Sequence, residues 1–160
     1  PRANMERNFD VCRDYAQQFS KGSGNLLLSG GTGLGKTFLS ACIARVVSES
    51  GFSVVYDTAI SIFAKLENDK FRPDEETAAE VRRCEGCDLL ILDDLGTEMT
   101  TAFVQSALYQ IINGRLMEKR ATIISTNLTH EQVQRRYEDR IVSRLFATYT
   151  GLHFVGAYGI

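Results

Sequence analysis

Five short apolar runs punctuate this chain, and several are too continuously apolar to be half-exposed strands. They are NLLLSG (25–30), SVVYD (53–57), DLLILDD (88–94), TIISTN (122–127) and LHFVGAY (152–158). Amphipathic segments separate and flank them: FDVCRDYAQQF (9–19), TFLSACIARVVSES closed by Gly51, TAISIFAKLE, DEETAAEVRRC, TAFVQSALYQIINGRLMEK and EQVQRRYEDRIVSRLF (131–146). A strand buried on both faces needs a helical layer on each side, and strands joined through helices run parallel. The pattern predicts an α/β fold of three layers around a mainly parallel five-stranded sheet. The segment NDKFRPDEE (68–76) reads as the one long loop.

At 160 residues the chain is long enough for one domain with a real core. Eighteen basic against twenty acidic side chains give a net charge of −2, so the broad basic footprint of an autonomous DNA-binding domain is absent. Any nucleic-acid contact must be local or depend on assembly. No apolar run approaches the roughly 20 residues needed to span a bilayer, and the N-terminus lacks a signal-peptide pattern, so no membrane is expected and the cytoplasm is the expected location. Only Cys84-Glu85-Gly86-Cys87 has metal-ligand or redox spacing; zinc would need two further ligands, and Cys12 and Cys42 come without that spacing. Two ordinary thiols ahead of a buried strand are the expectation.

The strongest chemical signal follows the first run. GGTGLGKT, Gly30 to Thr37, fits G-x-x-x-x-G-K-[ST] between an apolar strand and an amphipathic helix. Its glycines let consecutive N–H groups and the positive end of the helix surround a phosphate. The loop residues Gly30, Gly31, Thr32, Gly33, Leu34, Gly35, Lys36, Thr37 and Phe38 are therefore the expected nucleotide contacts. Lys36 would reach the β- and γ-phosphates, and Thr37 would offer its hydroxyl to Mg²⁺.

LLILDDLGTE then ends a buried strand in two carboxylates. Asp93 is placed to hold the magnesium shell with Thr37, and Asp94 to polarise the attacking water, with Glu98 as the alternative base. In IISTN, Asn127 closes a later buried strand, where a polar side chain can align that water with the γ-phosphate.

These motifs, followed by RIVSRL, resemble the AAA+ ATPases, specifically the bacterial replicative helicase loaders of the DnaC/DnaI type, with the IstB transposition helpers as close relatives. The resemblance covers nearly the whole chain. It implies ATP and ADP as ligands, Mg²⁺, assembly with like subunits, a hexameric replicative helicase as client and contact with single-stranded DNA. It also implies that Arg144 is the finger reaching a phosphate held by the neighbouring subunit. The expected division is residues 1–24 as an N-terminal helix and lead-in, and 25–160 as the AAA+ core without the usual C-terminal helical lid. An upstream partner-binding domain is expected outside this chain. A transposition helper and, more distantly, a small-molecule P-loop kinase are the rival functions; a GTPase is disfavoured because the Asn-Lys-x-Asp signature is missing.

On a continuous helix over 131–146, Arg136, Arg140 and Arg144 share one face, where each like-charge pair costs about 0.2–0.5 kcal/mol. Val133, Tyr137, Ile141 and Leu145 form the neighbouring row that would bury, leaving the arginines outward for a neighbour's phosphate. For single-stranded DNA, the nearby aromatic and basic residues Phe63, Lys65, Lys70, Phe71 and Arg72 offer stacking and phosphate contact.

The P-loop assignment carries its own test. Replacing Lys36 by Ala removes a charge-assisted bond to phosphate, of about 1.5–3 kcal/mol, so ATP and ADP affinity measured by calorimetry should fall at least about tenfold.

Overall fold

The computed structural model describes residues 2–156. Its elements alternate as the apolar runs require: α1 (Arg2–Gln17), β1 (Asn25–Gly30), α2 (Lys36–Glu49), β2 (Val54–Thr58), α3 (Ala59–Phe71), α4 (Glu75–Gly86), β3 (Leu89–Leu95), α5 (Ala102–Met117), β4 (Ala121–Thr126), α6 (His130–Arg136), α7 (Asp139–Thr148) and β5 (Tyr149–Phe154). The five strands form one sheet in the order β2-β3-β4-β1-β5, and all pairs are parallel.

Two apolar cores sandwich that sheet. Leu90, Leu92 and Ile124 face α3, α5 and α7 through Ile62, Phe63, Leu108, Ile112 and Ile141. Leu89, Ile91 and Ile123 face the other way, toward α1 and α2 through Cys12, Ile43 and Val47. Alternate residues of β3 thus point to opposite layers, which is why its sequence is apolar at every position from Leu89 to Leu92. Burying each such side chain contributes about 1.5–3 kcal/mol.

The strand and helix expectations hold with shifted boundaries. Helix α1 starts well before residue 9, and β5 starts at Tyr149; residues 157 and 158 lie outside the described residues. The long loop does not exist: α3 continues to Phe71 and α4 starts at Glu75. Asp74 caps α4 by accepting the Thr77 N–H at 2.8 Å, and Asn68 donates to both Asp74 and the Thr77 hydroxyl, which staples the two helices at their junction.

The continuous helix over 131–146 is also corrected. Tyr137 and Glu138 adopt extended backbone and split it into α6 and α7. Gln105 of α5 supplies the bonds that the break removes, accepting the Glu138 N–H at 2.8 Å and donating to the Arg136 carbonyl at 3.4 Å. Val133, Tyr137, Ile141 and Leu145 are all buried, as the apolar spacing requires. Arg136, however, is separated from Arg140 and Arg144 and turned toward Glu98.

Far from the phosphate loop, at the N-terminal ends of β3 and β4, lies Arg115, the one cation among the described residues that is fully buried. Its guanidinium donates to the carbonyls of Cys84, Glu85, Cys87 and Ala121 and to the Thr122 hydroxyl, at 2.7–3.1 Å. These acceptors include the end of α4, where the helix dipole is negative, so a charge without a carboxylate partner is tolerated. Cys84 and Cys87 are buried beside it, and burial pushes the Cys84 thiol up to about 11. Among the described residues there is no group of three or more His, Cys, Asp and Glu that could hold a metal. Replacing Arg115 by Met keeps most of the volume but leaves several buried acceptors unpaired; unfolding in urea should show a loss of about 3 kcal/mol, as a lower midpoint at unchanged slope.

Candidate functional site

Because every strand is parallel, β1, β3 and β4 deliver their C-terminal residues to one edge of the sheet. There β1 ends in Gly30, whose φ is 131° and where a Cβ would sit 2.3 Å from the Phe154 carbonyl of β5. Only glycine lets the chain turn into the loop against that neighbour. Gly33 and Gly35 then take φ of 77° and 100°, and α2 begins at Lys36. No side chain caps this helix start. Its first-turn N–H groups are donors in search of an acceptor, at the positive end of the helix.

The cleft over this loop is lined by Thr32, Gly33, Gly35, Lys36, Thr37 and Phe38 from the P-loop, by Asp93 and Asp94 from β3, and by Ser125 and Asn127 from β4 and its end. Gly30, Gly31 and Leu34 line the adjoining, more apolar cavity, with Leu27, Leu128, Phe146 and Phe154. The sequence-predicted contacts therefore divide between two adjoining hollows, one that carries the charged groups Lys36, Asp93 and Asp94 and one without them.

Lys36 is buried, and its ammonium donates to the carbonyls of Gly30 at 2.7 Å and Gly31 at 2.6 Å. Burial pulls its pKa down, while Asp94 and Asp93 pull it back. An ammonium bonded only to neutral carbonyls gains by exchanging them for phosphate oxygens.

Asp93 sits where three strands meet. Its carboxylate accepts from the Ser125 hydroxyl, from Thr37 at 3.3 Å and from Tyr56 at 3.3 Å. Burial, with Asp93 adding to it, pushes the Tyr56 phenol up to about 12, which keeps the proton on the donor. Two hard oxygen ligands, the Thr37 hydroxyl and the Asp93 carboxylate, stand side by side. That donor set fits Mg²⁺, which keeps several waters and takes only one or two protein groups alongside phosphate.

A regular pleat would turn Asp94 away from Asp93. Instead the β3–β4 register shifts between Leu92 and Leu95, and Asp94 adopts a left-handed φ of 61°. Its N–H donates to Ser125 Oγ at 2.9 Å, and both aspartates line the cleft. Asn127, one residue beyond β4, donates to Thr32 Oγ1 at 3.0 Å and so bridges the strand end to the phosphate loop.

Other predicted residues stand elsewhere. Glu98 is not available as a base at the cleft: it is buried, with its carboxylate accepting from the Gly96 N–H and the Tyr137 hydroxyl. Arg144 does not line its own cleft; its Nε donates to Asn113 Oδ1 at 3.0 Å, and its guanidinium lies 4.8 Å from the Tyr109 ring centre. Arg140 stacks on the same ring at 4.1 Å and pairs with Glu138 at 3.7 Å. Of the aromatic and basic group near residues 63–72, Phe63 is buried and Lys65 is paired with Asp57 at 2.8 Å and Glu80 at 3.6 Å. Only Lys70, Phe71 and Arg72 are left as surface groups, with Phe71 63% exposed.

Ser125 and Tyr56 escaped sequence reasoning. Each looks like an ordinary strand residue, and only the register that sets β4 and β2 beside β3 reveals them.

Fold and cleft together define a P-loop ATP-binding protein of the AAA+ type. The chain belongs to the IstB-like ATP binding protein family, whose model matches residues 11–146. The replicative helicase loader DnaC of Escherichia coli strain K12 is 26% identical over 134 residues, covering 83% of this chain and 54% of that protein. The solved DnaC helicase loader superposes with a TM-score of 0.82 at 20% identity, covering 93% of this chain and 89% of the other. The replication initiator DnaA bound to AMPPCP and single-stranded DNA gives 0.78 at 22% identity, covering 96% and 47%. The chain spans about half the length of the curated relatives it matches. Among the described residues no helix is long and apolar enough to cross a membrane.

Replacing Ser125 by Ala removes the one hydroxyl that fixes both aspartates. Steady-state ATP hydrolysis should fall about tenfold or more through kcat, at about 1.4 kcal/mol per decade, while nucleotide affinity measured in EDTA stays within about twofold.

Proposed function

We propose that the chain binds ATP with Mg²⁺ and hydrolyses it slowly, as a switch that loads or remodels a replicative DNA helicase on single-stranded DNA. The observation that carries the catalytic half is the meeting of Lys36, Thr37, Asp93, Asp94 and Asn127 at one cleft. In this reading the loop N–H groups cradle the phosphates and Lys36 exchanges its carbonyl partners for β- and γ-phosphate oxygens. Thr37 and Asp93 hold Mg²⁺, which when bound neutralises phosphate charge. Asp94 takes the proton of the attacking water and Asn127 aligns that water. Attack at the γ-phosphorus breaks its bond to the β-bridging oxygen and leaves ADP and phosphate. The apolar cavity beside Gly30 and Leu34 suits the nucleobase.

Arg144 stands outside its own cleft, which supports action on the nucleotide of a neighbouring subunit in an ATP-dependent assembly. An arginine finger is worth about 10³–10⁵ in rate in other P-loop enzymes, so a lone subunit hydrolyses slowly. Residues 1–24 serve as lead-in and 25–160 as the ATPase core. Asn8 of α1 donates to the His153 carbonyl of β5, which ties the lead-in to the sheet. The partner-binding segment is proposed to lie in the part of the relatives' length that this chain does not span.

The likeness to DnaC supports the helicase as client and a cytoplasmic setting. Lys70, Phe71 and Arg72 are the proposed, local contact to single-stranded DNA. Membership of the IstB-like family keeps the second reading, a transposition helper with a transposase as client and the same ATP chemistry. Affinity capture of the full-length, ATP-bound protein should retain the replicative helicase, and adding single-stranded DNA with hydrolysable ATP should transfer that helicase to DNA. Lys36→Ala should lose the transfer. Retention of a transposase instead would replace the loading role with the transposition one.

A further inference from the structure

Arg144 is held at three points, two of them on α5 and the third on its own helix. Asn113 of α5 accepts its Nε, Tyr109 of α5 stacks beneath its guanidinium, and the Arg140 carbonyl accepts from its other end at 3.1 Å. The elbow that starts α7 is itself pinned by Gln105 of α5. One carboxylate joins that elbow to the nucleotide cleft. Glu98, buried, accepts the N–H of Gly96 at 2.7 Å, two residues beyond Asp94, and also accepts from the Tyr137 hydroxyl of the elbow. Arg136 closes the same knot by donating to the Glu98 carbonyl. Only glycine fits at position 96, where φ is 112° and a Cβ would meet Leu128 at 2.7 Å.

From this geometry we propose that the finger arginine is mounted on the segment that leaves the catalytic aspartates, with Glu98 and Asn113 as positioning residues for Arg144. The proposal rests on the reading of Arg144 as acting on a neighbour's nucleotide. A long arginine side chain that is already oriented loses less freedom when it meets phosphate across an interface. The same mount ties its position to the strand end that faces its own nucleotide, so a subunit's own cleft and the help it gives its neighbour share one rigid connection.

The test separates a finger defect from a pocket defect. Asn113→Ala, at a half-buried position, and Glu98→Gln should each lower kcat for ATP about tenfold while KM and nucleotide affinity stay within about twofold. Mixed with Lys36→Ala, which keeps its finger but not its pocket, either variant should recover hydrolysis. Mixed with Arg144→Ala, which has the same defect, neither should. Co-assembly of each pair is verified by sedimentation. A control mixture of Arg144→Ala with Lys36→Ala must recover activity; if it does not, the trans-acting finger fails and the mount with it. If the control recovers but Asn113→Ala hydrolyses ATP normally, or Lys36→Ala does not rescue it, the mount alone is overturned. Glu98→Gln folding poorly while Asn113→Ala shows the rescue pattern assigns Glu98 to stability and leaves Asn113 as the positioning residue.

Discussion

The parallel register of β1, β4 and β3 is the constraint on which the site depends. Leu28 is paired with Ser125 across one boundary, and Leu92 with Ile124 across the other. With every strand running the same way, the residues that leave those strands arrive together, although Thr37 and Asp93 are 56 positions apart in sequence and Asp93 and Ser125 are 32 apart. The register is enforced by burial: from Leu89 to Leu92 and at Ile123 and Ile124 a slip by one residue would exchange the two core faces.

Two buried cations show how one physical rule serves stability at one edge of this sheet and function at the other. Arg115 spreads its charge over carbonyls and a hydroxyl that it cannot exchange, because protein encloses it. Lys36 rests on only two carbonyls, with Asp93 and Asp94 near enough to raise its pKa against the effect of burial. The first arrangement is closed and holds α4, β3 and β4 together. The second opens onto a cleft, so a phosphate can improve on the partners already there.

The elbow at Tyr137 and Glu138 is a case of tertiary bonds overriding local preference. The apolar spacing across 131–146 is that of one helix, and its buried row does face the core. Gln105 nevertheless supplies replacement bonds to the Arg136 carbonyl and the Glu138 N–H, and the Tyr137 hydroxyl finds Glu98, so the break leaves few polar groups unpaired. Its consequence is a division of labour among the arginines: Arg136 joins the knot around Glu98, while Arg140 and Arg144 share the Tyr109 ring.

By itself the sequence determined the layer architecture, the strands, the phosphate loop and the placement of Lys36, Thr37 and Asp93 beside it, because these rest on periodicity and on glycine and charge at short fixed spacing. It also placed Asp94 and Asn127 at strand ends, but not the bulge with a φ of 61° that brings Asp94 to the same cleft as Asp93. What only the tertiary structure decided depends on neighbours distant in the chain. Ser125 and Tyr56 matter because β4 and β2 flank β3, Glu98 is withdrawn from the cleft by a tyrosine 39 positions away, and Lys65 is neutralised by Asp57 and Glu80. Side-chain partners across strands and helices are set by register and packing, and neither is written in the local pattern of residues.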